Sequence, residues 1–97
     1  MGNNMDAVLI AKERTSLSED AFYEIVVWQV PSPVPGSGHG FKYRLALVMR
    51  GECVLRYDNE RGKGDHRHIG EREEAFEFTT LEALLTAFER DMERMLA

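Results

Sequence analysis

The residue types able to do chemistry concentrate in one run, Tyr57-Asp58-Asn59-Glu60-Arg61-Gly62-Lys63-Gly64-Asp65-His66-Arg67-His68. In an extended chain, His66 and His68 point to one side and Arg67 to the other. Two such imidazoles could ligate a metal with Asp65 or His39 as a third ligand. The spacing fixes no full ligand set, so neither a metal nor any other cofactor is expected. The same pair could cleave RNA, one imidazole taking the 2′-hydroxyl proton and the other protonating the leaving oxygen. Histidine suits both tasks because its ordinary titration range spans neutrality. Tyr57 could stack a base or donate a proton. Arg44, Arg56, Arg61, Lys63 and Arg67 could hold phosphate. Asp58, Asn59 and Asp65 would support these groups. The bland alternative is an exposed, charged loop. Gly62-Lys63-Gly64 is not a phosphate-binding P-loop, because the glycine spacing is wrong and no helix follows.

Composition narrows the function classes. The chain has 97 residues, enough for one domain with a modest core. No stretch approaches the roughly 20 apolar residues of a membrane helix, and no basic, apolar leader is visible, so no membrane role is expected. The single cysteine, Cys53, fits a reducing cytoplasm and lies in an apolar strand, where it reads as a small buried hydrophobe. The net charge of −5 is unevenly spread. Residues 42–72 carry eight Lys and Arg against five acids, whereas residues 73–97 carry two against seven. Screening confines each charge to about 10 Å, so the basic middle could still attract phosphate.

The flanking elements must position the run. Residues 1–6 read as a frayed leader. Ala7 to Ala11 reads as a short strand and Thr15 to Ala21 as a turn. Phe22 to Val30 is the strongest strand signal, β-branched and aromatic with apolar side chains on both faces. Residues 31–40, with three prolines, break regular structure and read as a flexible connector. Lys42 to Arg50 and Cys53 to Asp58 form a hairpin around Gly51. If partners sum to 102, Met49 meets Cys53, Leu47 meets Leu55 and Leu45 meets Tyr57 on one face. Arg44, Arg56 and Asp58 then cluster on the other face as the floor of a site. Residues 58–70 read as a functional polar loop. Glu74 to Phe78 alternates as a last strand. Thr79 and Glu82 suggest a capping box, and Leu81, Leu84, Leu85, Phe88, Met92 and Met95 repeat at helical spacing over 80–96.

The expected fold is a single α+β domain over 1–97. Four to five mostly antiparallel strands carry one C-terminal helix packed on one face. Tyr57-Asp58-Asn59, then Gly62-Lys63-Gly64-Asp65-His66-Arg67-His68, then Phe76-Glu77-Phe78 before an amphipathic helix, resembles the TumE-like toxin family. Trp28-Gln29-Val30-Pro31 and Lys42-Tyr43-Arg44-Leu45 agree with it. The resemblance implies the toxin half of a type II toxin–antitoxin pair. It further implies neutralisation by a small DNA-binding antitoxin, of helix-turn-helix type, from the neighbouring gene. Together with the residues it suggests a metal-independent ribonuclease, or an RNA-binding growth inhibitor, acting in the cytoplasm as a monomer or a homodimer. The competing expectation is a non-catalytic module that uses residues 57–68 to engage a protein or nucleic-acid partner.

Overall fold

The computed structural model describes residues 6–97. Apart from Asp6, the expected leader lies outside the described residues. Six strands run in chain order across one antiparallel sheet: β1 (Val8–Ser18), β2 (Ala21–Gln29), β3 (Phe41–Met49), β4 (Glu52–Glu60), β5 (Gly64–Ile69) and β6 (Arg72–Ala75). One helix, α1 (Leu81–Leu96), packs on one face. The α+β class is as expected, with six strands rather than four or five. The extra strand comes from the polar run itself, which is not a loop. Asp58 to Glu60 complete β4, Arg61-Gly62-Lys63 form a tight turn, and Gly64 to Ile69 return as β5. β1 also continues through the expected turn to Ser18.

The central hairpin keeps the sum-102 register from Arg44/Asp58 to Leu47/Leu55. It then slips by one, so that Val48 meets Cys53 and Met49 meets Glu52. Arg50 and Gly51 both take positive φ, 54° and 77°, as a two-residue type I′ turn requires. A two-residue loop cannot also satisfy Met49 opposite Cys53, and a bulge at Val54 absorbs the difference.

Alternation along the strands sorts the side chains. Val27, Tyr43, Leu45, Leu47, Leu55 and Tyr57 face the helix and close the core with Leu84 and Phe88. The helix begins one residue later than the expected cap. Thr80, not Thr79, is extended and accepts the Ala83 N–H at 3.0 Å. Glu82 is then one position too early to complete a capping box. The last strand ends at Ala75, and Phe76 and Phe78 follow it outside any strand, packed against the core. Among the described residues no helix is long and apolar enough to cross a membrane.

Candidate functional site

The β4–β5 hairpin divides the polar run between the two faces of the sheet. On the helix-free face, Asp58 stands opposite Arg44 and His66, and Arg56 opposite Ala46 and His68. On the helix face, Tyr57 stands opposite Arg67 and Asn59 opposite Asp65. Period-two alternation forces this once both segments are strands.

The helix-free cluster is tightly coupled. Arg56 Nη2 lies 3.1 Å from His68 Nε2, which accepts its proton if the ring is neutral. His66 Nε2 is 2.6 Å from the Lys63 carbonyl, the only role open to it being donor. That leaves His66 Nδ1 as the free lone pair of a neutral ring. Glu73 on β6 bridges the pair, its Oε2 3.3 Å from His66 Nδ1 and 3.5 Å from His68 Nε2. Asp58 Oδ1 is 3.9 Å from His68, and Lys63 Nζ is 3.9 Å from Glu73. Arg56 Nε pairs with Asp58 Oδ2 at 3.1 Å at an angle that makes no hydrogen bond. Three polar atoms here, His66 Nδ1, Asp58 Oδ1 and Arg56 Nε, are enclosed without a hydrogen-bond partner among the described residues. Each still has an opposite charge within 4 Å, and Arg67 Nε on the helix face is enclosed in the same way, so these atoms are held by ion pairs rather than by aligned hydrogen bonds. Arg44 and Arg61 are exposed, Arg44 pairing with Glu24 at 3.4 Å and Arg61 sitting in the β4–β5 turn.

The other expected site residues lie across the sheet. Tyr57 is 0% exposed and stacks edge-on against Phe76 and Phe88, so it can neither reach His66 nor stack a base. Its hydroxyl donates to Asp91 Oδ2 at 2.5 Å, and Arg67 Nη1 donates to the same oxygen at 3.2 Å. Arg67 also pairs with Glu74. Burial, then the bond to Asp91, pushes the Tyr57 phenol up to about 12. Arg67 is therefore engaged in holding the helix to β4 rather than open to phosphate.

Asp65 lies in a second brace. His39 Nδ1 accepts the Phe41 N–H at 3.1 Å, which places its proton on Nε2, donated to Asp65 Oδ2 at 2.7 Å. Tyr43 donates to that oxygen at 2.6 Å, and Ser37 donates to Oδ1 at 2.8 Å. Burial, then the bond to Asp65, raises the Tyr43 phenol well above its ordinary value. The His39 ring stacks on Phe78 at 3.7 Å. Asn59 completes the brace by standing in for backbone. The β3–β4 ladder ends at Arg44/Asp58, and beyond it Asn59 Oδ1 accepts the Tyr43 N–H while Nδ2 donates to the Phe41 carbonyl at 2.7 Å. The Pro/Gly segment is thus fastened, not a free connector. Gly62 N–H also donates to the Pro35 carbonyl at 2.6 Å, and the Gly36 and Gly64 backbones meet where a Cβ on Gly64 would lie 2.7 Å from Gly36 O.

Neither third metal ligand expected from the sequence is beside His66 and His68, because Asp65 and His39 are on the opposite face; the carboxylates that are there, Glu73 and Asp58, pair with the rings instead. No group of three or more His, Cys, Asp or Glu side chains is placed to hold a metal among the described residues. The sequence reading missed Asp91, Ser37 and the brace role of His39. Asp91 had a signal: it is a carboxylate three residues after Phe88, on the apolar stripe of the helix. Ser37 and His39 had none, since only the docked loop brings them to Asp65.

Residues 6–96 match the family model described as Toxin TumE. No curated protein and no solved structure matches the chain.

Proposed function

The chain belongs to the TumE toxin family, and from that premise we propose that this toxin is a metal-independent endoribonuclease whose acid and base are His66 and His68. The observation that carries the reading is their placement. Both imidazoles lie on the helix-free face, with Arg56 opposite His68 and with Asp58, flanked by Arg44, opposite His66. Residues two apart on a strand are separated by about 6.6 Å, room for one phosphate between the rings. Arg56 and Arg44 would meet its non-bridging oxygens. Lys63 and Arg61, in the adjoining turn, would attract the flanking backbone.

The step needs no oxidant, metal or water. His66 Nδ1 takes the proton of a ribose 2′-hydroxyl, with the Lys63 carbonyl holding the other ring N–H. The 2′-oxygen bonds to phosphorus, the bond from phosphorus to the 5′-oxygen breaks, and His68, protonated once Arg56 has turned from its Nε2 to the phosphate, gives its proton to that oxygen. The products are a 2′,3′-cyclic phosphate and a 5′-hydroxyl. Glu73 stabilises the imidazolium that forms at His66. It belongs to the short, exposed edge strand β6, and the reading requires its carboxylate to move off His66 Nδ1 to admit substrate while staying within reach of the ring.

The toxin would be held inactive in the cytoplasm by a small helix-turn-helix antitoxin encoded beside it. One observation favours a second reading, a non-catalytic binding module. Both rings are already engaged by Lys63, Arg56 and Glu73. Product analysis separates the two. Incubation of the antitoxin-free toxin with RNA should give cyclic-phosphate and 5′-hydroxyl ends, with or without EDTA, and a 2′-deoxy substitution at the cleaved position should block it. Intact RNA, or 5′-phosphate ends, would contradict the reading.

A further inference from the structure

Trp28 is the only tryptophan of the chain and is 37% exposed, an unusual position for the largest apolar side chain. It lies on β2 opposite Lys42 of β3, on the same helix-free face as His66 and His68. A recess of about 190 Å³ runs beside it, lined by Val26, Trp28, Lys42, Tyr43 and Arg44. The nearest charges are mostly cationic. Lys42 stands opposite Trp28, and Lys12 and Arg44 stand opposite Val26 two residues away; among the described residues only Arg44 of these forms an ion pair, with Glu24 on the same face. Nearer the histidines, Asp58 and Glu73 pair with Arg56 and Lys63, whereas Lys12 and Lys42 at the Trp28 end form no ion pair among the described residues.

We propose that Trp28, with Lys42 and Arg44, is a stacking subsite for a base of single-stranded RNA, a short distance along the strand from the bond cut between His66 and His68. The proposal rests on the ribonuclease reading and adds to it the form of the substrate. An exposed indole flanked by cations is the usual means of holding an unpaired base together with its phosphate. A base in duplex offers no free face to such a platform, so the subsite selects single strands.

The sheet gives the spacing. His66, Asp58, Arg44 and Val26 are successive neighbours across β5, β4, β3 and β2, and Trp28 is two residues beyond Val26. Three strand steps of about 4.8 Å and one two-residue step of about 6.6 Å separate Trp28 from His66 by roughly 16 Å. A stacked strand advances about 3.4 Å per nucleotide, so about five nucleotides span the distance, and fewer if the strand is stretched. Arg44 lies between the two ends and serves both, as a contact to the phosphates that connect them.

The test uses the fluorescence of this single indole. A 2′-O-methyl oligouridine, which cannot be cleaved through its 2′-oxygen, is titrated into the antitoxin-free toxin. Oligomers of about five nucleotides or more should quench Trp28, whereas a dinucleotide and a fully paired duplex should not. Trp28→Ala should weaken binding of the longer oligomer roughly 5- to 150-fold, the usual worth of one stacked base, and Trp28→Phe should recover much of it. Lys42→Ala should reduce the salt dependence of binding by about one counterion. Cleavage of RNA with no quenching, or Trp28→Ala binding as tightly as the parent, overturns the subsite and leaves the ribonuclease reading standing. Neither binding nor cleavage of any single strand overturns both. Quenching by the antitoxin but not by RNA assigns the face to the protein partner and also overturns the proposal.

Discussion

Asn59 offers the clearest prediction from structure to number. It is 1% exposed at the end of the β3–β4 ladder, where its side-chain amide replaces a peptide. Asn59→Ala removes an acceptor from the Tyr43 N–H and a donor from the Phe41 carbonyl, and no other group is placed to satisfy either. Each orphaned buried group costs about 1–3 kcal/mol, so the variant should lose about 2–6 kcal/mol. In a domain of this size that lowers Tm by roughly 10–30 °C. Urea denaturation should show the midpoint falling with little change in slope. Arg61→Ala, exposed in the neighbouring turn, should shift stability by no more than about 0.5 kcal/mol. Asn59→Asp gives a second reading of the same contact. At neutral pH its carboxylate would face the Phe41 carbonyl across the 2.7 Å now occupied by a hydrogen bond. Protonation restores a donor there, so the loss should shrink as pH falls. An Asn59→Ala variant within about 1 kcal/mol of the parent would refute the substitution of side chain for backbone.

Phe88→Ala should cost about 3–5 kcal/mol in chemical denaturation, because Phe88 is fully buried between Tyr57 and Tyr23; a loss below about 1 kcal/mol would mean the helix is not docked there. Gly64→Ala combines a φ of 78° with a Cβ 2.7 Å from Gly36 O, so a loss of at least about 1–3 kcal/mol and freer proteolysis of residues 31–40 should follow; parent-like resistance would refute the clamp. Tyr57 binds its proton more tightly folded than unfolded, so its contribution to stability is complete below pH 10.0 and is lost as pH rises through about 12. Alkaline unfolding followed by ultraviolet absorbance checks this, and Tyr57→Phe should flatten that limb; an unchanged limb would contradict it.

The sequence made the fold legible wherever local pattern decides it. Alternation in residues 42–58 set which residues of the hairpin face each other, and the apolar stripe of 81–95 set the docked helix. The register failed only at Met49 and Cys53, because partner sums do not reveal a bulge. The polar run was harder. Its residues have little strand propensity, and it became a strand because β4 offered an edge and β6 covered the other side. Once it is a strand, alternation separates residues adjacent in sequence. His66 and His68 came to lie opposite Asp58 and Arg56 through the β4–β5 pairing, in a stretch whose sequence reads as a loop, while Tyr57, Asp65 and Arg67 went to the helix face. The partners they met there, Asp91, Ser37 and His39, are between 24 and 34 residues away, a distance at which sequence pattern is silent.

One face of the β4–β5 hairpin braces the fold through Tyr57, Asp65 and Arg67, and the proposed ribonuclease chemistry places proton transfer on the other, at His66 and His68. The most direct test is the rate of RNA cleavage by antitoxin-free His66→Ala and His68→Ala, set beside their stability in urea. Each variant should lose about 10²–10⁴-fold in rate while unfolding at nearly the parent midpoint, and the parent rate should trace a bell against pH that each variant reduces to a single limb. Parent-like cleavage by the double variant His66→Ala/His68→Ala, or loss of rate only in step with loss of fold, would contradict it.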